Sequence, residues 1–170
     1  DGLESRGLGD VYKRQVSYGI MNPGGHLEMT TAVIDGLQKL ISGAAEQAGL
    51  DAEDVVEIVL VGNPVMHHLL LGIDPVELGG APFALAVDTA VEIRASELGL
   101  GVNKGARIYV LPCIAGHVGA DAAGVVLAEA PQKAEINTLV VDVGTNAEIV
   151  VGNSKRMLAA SSPTGPAFEG

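Results

Sequence analysis

A single cysteine, Cys113, stands in these 170 residues, and tryptophan is absent. One thiol excludes an internal disulfide and leaves no second cysteine to complete a zinc site with His117, so the default setting is a reducing one, the cytoplasm. Aromatic residues make up only 3% of the chain while apolar residues reach 48%. The core must therefore be built from Val, Leu, Ile and Ala, which suits an α/β protein with a buried sheet. Basic residues are scarce as well, 10 against 21 acidic ones, and the formal charge of -11 opposes non-specific attraction to nucleic acid or an anionic membrane. No stretch is long and apolar enough to span a bilayer. No Gly-Lys pair occurs, which excludes a P-loop. The run Gly99-Leu100-Gly101-Val102-Asn103-Lys104-Gly105 is only superficially a dinucleotide loop: its third glycine falls one place late and no strand precedes it.

What is present is read along the chain. Residues 1 to 15 show no helical or alternating period and end in Asp10-Val11-Tyr12-Lys13-Arg14-Gln15, which looks like adaptor- or cloning-derived sequence or a disordered tail. A native basic tail is the alternative. From Met29 to Gly49, Val33, Leu37, Leu40, Ile41, Ala44, Ala45 and Ala48 recur at helical steps, with Thr30 or Thr31 as N-cap and Gly49 as the stop. His26 falls in the loop before this helix and reads as solvated. Val55 to Val61 is a near-continuous apolar run, the pattern of a strand buried on both faces. It stops at Gly62-Asn63-Pro64, where Asn63 is placed to cap a short helix over 65–71 and Pro64 to open it. A strand end before a helix N-terminus is also where α/β folds present ligand sites. His67 and His68 are neighbours on that helix and cannot both face one metal; one is expected in the core and the other at solvent or a partner.

Gly72 to Leu100 is broken by Pro75, Gly79-Gly80 and Pro82, with a strand expected somewhere in 84–93. Arg107 to Leu111 reads as the next buried strand. Gly116-His117-Val118-Gly119-Ala120-Asp121 then leads into a small-residue helix over 120–128, where Asp121 is favoured by the helix dipole whatever its function. Cys113 reads as a buried, inert thiol. A linker follows at 131–137.

The stretch Thr138 to Asn153 is a β-hairpin in sequence, two β-branched runs around Asp142-Val143-Gly144-Thr145-Asn146, with 156–160 as a third antiparallel strand. Gly144 lets the backbone approach a ligand, consecutive N–H groups in such a turn can hold phosphate oxygens, and Asp142 at a strand end can hold hydrated Mg²⁺. An ordinary turn with those residue types is the alternative.

Asp142-x-Gly144-Thr145-Asn146-x-Glu148 between two apolar strands resembles the phosphate-binding hairpin of the ASKHA superfamily, the actin, sugar kinase and Hsp70 group of ATPases. Three segments together, 62–72, 111–121 and the hairpin with Gly165-Pro166-Ala167-Phe168-Glu169-Gly170, resemble the ASKHA domain of the reductive activators of corrinoid proteins over residues 16 to 170. The resemblance implies an RNase H-like, actin-like fold of the α/β class that is incomplete here: 16–130 as the latter part of a first lobe, 131–137 as the inter-lobe linker, and 138–170 as the opening meander of the second. It implies ATP and Mg as cofactors, phosphate contacts at Gly144, Thr145 and Asn146, hydrated Mg²⁺ at Asp142, and a cleft shaped by Asn63, Gly165 and Pro166. A 2Fe-2S cluster is expected only in a missing N-terminal domain. The implied complete protein is an ATP-hydrolysing activase that returns a Co(II) corrinoid protein to Co(I), with the residues present here inactive on their own. Its partner would be a corrinoid protein or corrinoid methyltransferase, with a homodimer as the expected assembly and neither nucleic acid nor membrane involved. Another ASKHA phosphotransferase, such as a sugar kinase or an acyl-CoA dehydratase activator, and a non-catalytic actin-like assembly protein are the alternatives. Ala147 stands where the family usually shows glycine, and Ser162-Pro163-Thr164 replaces a run of smaller residues.

Overall fold

Alternating burial along short strands organises the first half of the molecule, for which a computed structural model describes residues 10–144 and 146–164. Strands β1 (Glu57–Leu60), β2 (Val91–Arg94) and β3 (Arg107–Val110) form a sheet in the order β1-β3-β2, with β1 parallel and β2 antiparallel to β3. Ile108 and Val110 are fully buried, while Arg107 and Tyr109, one step out of phase, are exposed. Helix α2 (Gly25–Gln47) covers the inner face, and Val33, Ile34, Leu37 and Ile41 pack onto a core that includes Leu70, Leu100, Val102, Ala106, Ile108 and Val110. The expectation of a strand buried on both faces is overturned for β1. It is four residues long and lies at the sheet edge, and Val59 and Val61 are 58% and 53% exposed. Apolar composition gave no sign that only one face carries a helix.

Helix α2 also starts earlier than its period predicts. It enters from Gly24, whose φ of 84° suits glycine, so Thr30 and Thr31 lie inside it rather than at its cap. The Thr31 hydroxyl donates back to the Leu27 carbonyl at 3.0 Å, and the Thr30 hydroxyl donates to the Leu69 carbonyl at 2.7 Å, tying α2 to the next helix. His26 accordingly sits in the first turn of α2, partly buried and 3.5 Å from the Asp74 carboxylate, not in a solvated loop. The stop is as expected. With Gly49 at φ +70°, its N–H donates to the Glu46 carbonyl at 3.0 Å and the Leu50 N–H to the Ala45 carbonyl at 2.9 Å, which satisfies carbonyls the helix leaves unpaired.

Helix α1 (Asp10–Met21) crosses the expected break at Val16. It packs against α2, α3 and the turn at Val76–Gly79, long-range partners that no local period reveals. Val16 is 3% exposed and packs with Val65, Leu69 and Leu78, while Gly79 passes so close that a Cβ there would collide with it. Helix α3 (Pro64–Leu70) lies beneath α1 and α2. The 72–90 segment contains one 3₁₀ turn, Val76–Gly79, and the strand expected there is confined to β2.

Helix α4 (Ala120–Glu129) and a turn at Pro131–Lys133 lead to an antiparallel meander of β4 (Thr138–Val143), β5 (Asn146–Gly152) and β6 (Met157–Pro163). The Ser154 N–H donates to the Ala134 carbonyl at 2.8 Å and anchors the meander to the linker. Among the described residues no helix is long and apolar enough to cross a membrane.

Ile108 is the centre of the first sheet, so Ile108→Ala is expected to destabilise by about 2–5 kcal/mol through lost burial and the cavity left behind. Val59→Ala, on the open face, should change stability by no more than about 0.5 kcal/mol. Urea unfolding of both variants checks the contrast, and equal losses would contradict the one-sided burial of this sheet.

Candidate functional site

The site begins where β1 runs out. Asn63, extended at φ -64° and ψ 164°, accepts the Met66 N–H on its Oδ1 at 2.9 Å, with Pro64 at the first helical position, as the sequence predicts. One residue earlier, the Gly62 carbonyl accepts from the Ala120 N–H at 2.9 Å and the Asp121 N–H at 3.3 Å. The α4 N-terminus can come this close because Gly119 has no side chain: a Cβ there would lie 2.7 Å from the Asn63 Cα and from the Gly62 oxygen. Asp121 is thereby carried into partial burial, where its Oδ1 accepts the Ala122 N–H at 2.9 Å.

The hairpin supplies the opposite side. Its register pairs Asp142 with Glu148, and Glu148 in turn with Ser161, so all three lie on one face of the meander. The Ser161 hydroxyl donates to Glu148 Oε1 at 3.1 Å. At the turn, the Gly144 N–H donates to the Asn146 carbonyl at 2.7 Å and the Thr164 hydroxyl to the Gly144 carbonyl at 2.5 Å. Asn146 Oδ1 is buried without a hydrogen-bond partner, capacity that a ligand at the turn would use. Ala147 is buried between Val143 and Ser162 without interrupting the ladder.

Electrostatics joins the two sides. Burial raises the Asp121 carboxyl above the usual Asp range, and the charge of Asp142 adds to the rise, against the stabilising amides of Ala122 and of Asp121 itself. Glu148 is raised by burial, with Asp121 and Asp142 contributing and the Ser161 hydroxyl opposing. Three carboxylates thus share one field. Among the described residues, no group of three His, Cys, Asp or Glu side chains is arranged to hold a metal ion directly.

Of the residues singled out in the sequence, Asp142, Gly144 and Asn146 lie at or beside the turn, while Asn63 lies at the close approach of Gly119 next to Asp121. Thr145, Gly165 and Pro166 lie outside the described residues. Asp121 and Glu148 were missed as site residues. A two-strand register drawn from the turn would have placed Glu148 opposite Asp142; nothing local marks Asp121, whose role arises from the glycine contact alone.

The remaining chemistry-bearing side chains are elsewhere. Cys113 is buried and its thiol is pushed up to about 11, chiefly by desolvation, so it stays protonated and inert. The expectation that one of His67 and His68 meets solvent is wrong: they are 2% and 1% exposed, because α3 is covered on several sides.

Residues 8–134 match the family model described as the RACo middle region, and residues 136–170 match the C-terminal ASKHA domain of RACo. The junction between the two falls inside the stretch expected as linker. The chain is 33% identical over 162 residues to a protein named corrinoid activation enzyme RamQ from Eubacterium limosum, covering 95% of this chain and 27% of that protein. It is also similar to a solved structure titled reductive activator for corrinoid, iron-sulfur protein, with a TM-score of 0.86 and 31% identity over 92% of this chain and 25% of that one. It therefore spans about a quarter of the length of these relatives.

The raised Asp121 gives a pH-dependent prediction. A carboxyl whose folded pKa lies above its unfolded value of 3.8 contributes stability that is present below that value and lost as pH rises through the folded one. Asp121→Asn, which keeps the oxygen that accepts from Ala122, should therefore raise the melting temperature at pH 7, with the gain shrinking toward pH 4. Thermal unfolding at the two pH values checks this; a variant less stable than wild type at pH 7 would contradict it.

Proposed function

The chain belongs to the RACo family, and we propose that it is part of an ATP-driven reductive activator that returns a Co(II) corrinoid protein to Co(I). The fold is accordingly the α/β, RNase H-like fold of ASKHA proteins, represented here in part. Residues 16–130 belong in this reading to the first lobe, 131–137 to the linker and 138–170 to the second lobe. The observation that carries the proposal is the hairpin turn itself, where the strand carrying Asp142 gives way to Gly144 and the Asn146 amide oxygen that follows is buried and unpaired. Hard carboxylate oxygens suit Mg²⁺, which keeps several of its waters and is held through one or two carboxylates and substrate phosphates rather than by a full set of protein ligands. Bound there, Mg·ATP would supply the binding and hydrolysis energy.

This chain's own residues position and hold. Asp142 attracts the hydrated cation, Gly144 leaves the backbone open to a phosphate, and Asn146 offers its amide. Asp121, fixed by the Gly62 contact, adds negative charge that would help hold the hydrated cation attracted by Asp142. Thr145, Gly165 and Pro166 complete the phosphate turn and the cleft by their place in the motif. The electron cannot originate here, since one buried thiol does not make the four-cysteine set of an iron–sulfur cluster. The relatives' names speak of corrinoid activation and of a corrinoid, iron-sulfur protein, and they support a corrinoid protein as the partner.

In the complete protein, Asp142→Asn is expected to lower ATP-dependent Co(II) to Co(I) conversion by about tenfold or more. The amide keeps the shape of the carboxylate and loses its charge, so the melting temperature should stay near the wild-type value. Spectral titration of the cobalt with and without ATP, alongside a thermal melt, measures both; wild-type ATP-dependent conversion in a folded variant removes Asp142 from the site.

A further inference from the structure

The segment from Gly80 to Ala86 leaves the 3₁₀ turn at Val76–Gly79 and is fastened at two places before the chain enters β2. Its first half folds back, the Phe83 N–H donating to the Gly80 carbonyl at 2.6 Å with Phe83 itself at φ 58°. There the Phe83 ring lies 4.3 Å from the His117 ring, and its carbonyl sits so close to Gly116 that a Cβ at 116 would collide with it. Leu85 packs against Val65 and Leu69 of α3 and their neighbours on one side, and against Leu111, Cys113 and Ala120 on the other. At the far end, the Ala86 N–H donates to His68 Nε2 at 3.0 Å.

That last bond dictates the state of the imidazole. His68 Nδ1 lies 2.8 Å from the Pro64 carbonyl, which can only accept, so Nδ1 carries the proton. The Ala86 amide can only donate, so Nε2 must present a lone pair. His68 is 1% exposed, and both bonds together require the neutral ring. A proton on Nε2 would set donor against donor and bury a charge.

We propose that the Gly80–Ala86 segment is a pH-gated strap, closed over the 111–120 stretch while His68 is neutral and released from Ala86 when His68 takes up a proton. Burial lowers the affinity of His68 for that proton, with the Pro64 bond opposing, and among the described residues no carboxylate or cation from α1, α2, the sheet or the 72–90 segment offsets it. The titratable group that faces it is His67, whose ring centroid is 5.6 Å away and which is itself buried and made less basic by desolvation and by a charge on His68. A second charge beside His68 therefore adds to the pressure to open. The strap touches the turn that sets the start of α4, but its gating does not depend on what the Asp142 turn binds.

The sign follows from linkage. The ring is held neutral when closed and has its ordinary pKa of about 6.5 when released, so opening becomes about tenfold more favourable between pH 7.5 and pH 5.5. Amide hydrogen exchange of the complete protein, corrected for intrinsic rates, reads this directly. Protection at Ala86 should fall about tenfold over that interval while Ile108 and Val110 in β3 hold theirs. In His68→Gln, whose side-chain oxygen can accept from Ala86 at either pH, the fall should vanish. Should that variant not fold, the ring nitrogens of His68 in the wild type, followed by ¹⁵N NMR, should gain charge over the same range in which Ala86 loses protection. Unchanged protection at Ala86, a loss shared by the β3 amides, a fall that persists in folded His68→Gln, or a ring that stays neutral while Ala86 opens would each overturn the proposal.

Discussion

The Gly62 carbonyl, accepting the Ala120 and Asp121 amides, is the contact on which the site depends. A helix begins with backbone N–H groups that have no partner inside it, and α4 has no side-chain cap at Gly119 to meet them. The end of β1 meets two of them instead, and Asp121 meets a third through its bond from Ala122. Two consequences follow. The α4 N-terminus has spent these donors internally, so it is not an open anion site of the kind helix N-termini often provide, and phosphate recognition falls to the hairpin turn. Asp121 is also fixed by backbone bonds, its own amide on the Gly62 carbonyl and its Oδ1 on the Ala122 N–H, in a partly buried place where it feels the charge of Asp142.

This arrangement places like charges together. Asp121, Asp142 and Glu148 share a field in which burial has already made two of the carboxyls less acidic. Repulsion of that sort is destabilising in the absence of a cation and is relieved by one, which gives a divalent ion leverage over the junction between α4 and the meander. The electrostatic interaction of Asp121 with Asp142 and Glu148 also crosses the boundary between the two family matches, at 134 and 136. A ligand at the turn would therefore act on both parts at once.

Features carried by local chemistry were legible in the sequence. The Gly49 stop, the Asn63-Pro64 start, the α4 span and the three-stranded meander all rest on residues within a few positions of one another. Features that depend on what lies opposite were not. The apolar run at 55–61 reads the same whether one face is covered or two, and Thr30 is spent on a carbonyl 39 residues away. His67 and His68 are both buried because α1, α2 and the 72–90 segment surround a helix of seven residues. Asp121 enters the site only through a close approach at Gly119 that no spacing rule foretells. The motif named the family of the hairpin, while the contact that fixes Asp121 had to be seen in three dimensions.

In the proposed function, the Asp142 turn and the Asp121 carboxylate at the α4 N-terminus act on one metal–phosphate ligand. Mn²⁺ with a non-hydrolysable ATP analogue, added to the complete protein, tests it most directly, because the paramagnetic ion broadens only the NMR signals near it. The account predicts broadening of the Gly144 and Asn146 amides together with those of Asp121 and Ala122, while Gly49 and Ile108 stay sharp. Broadening that spares the turn, or that reaches the turn and leaves Asp121 and Ala122 sharp, would contradict it.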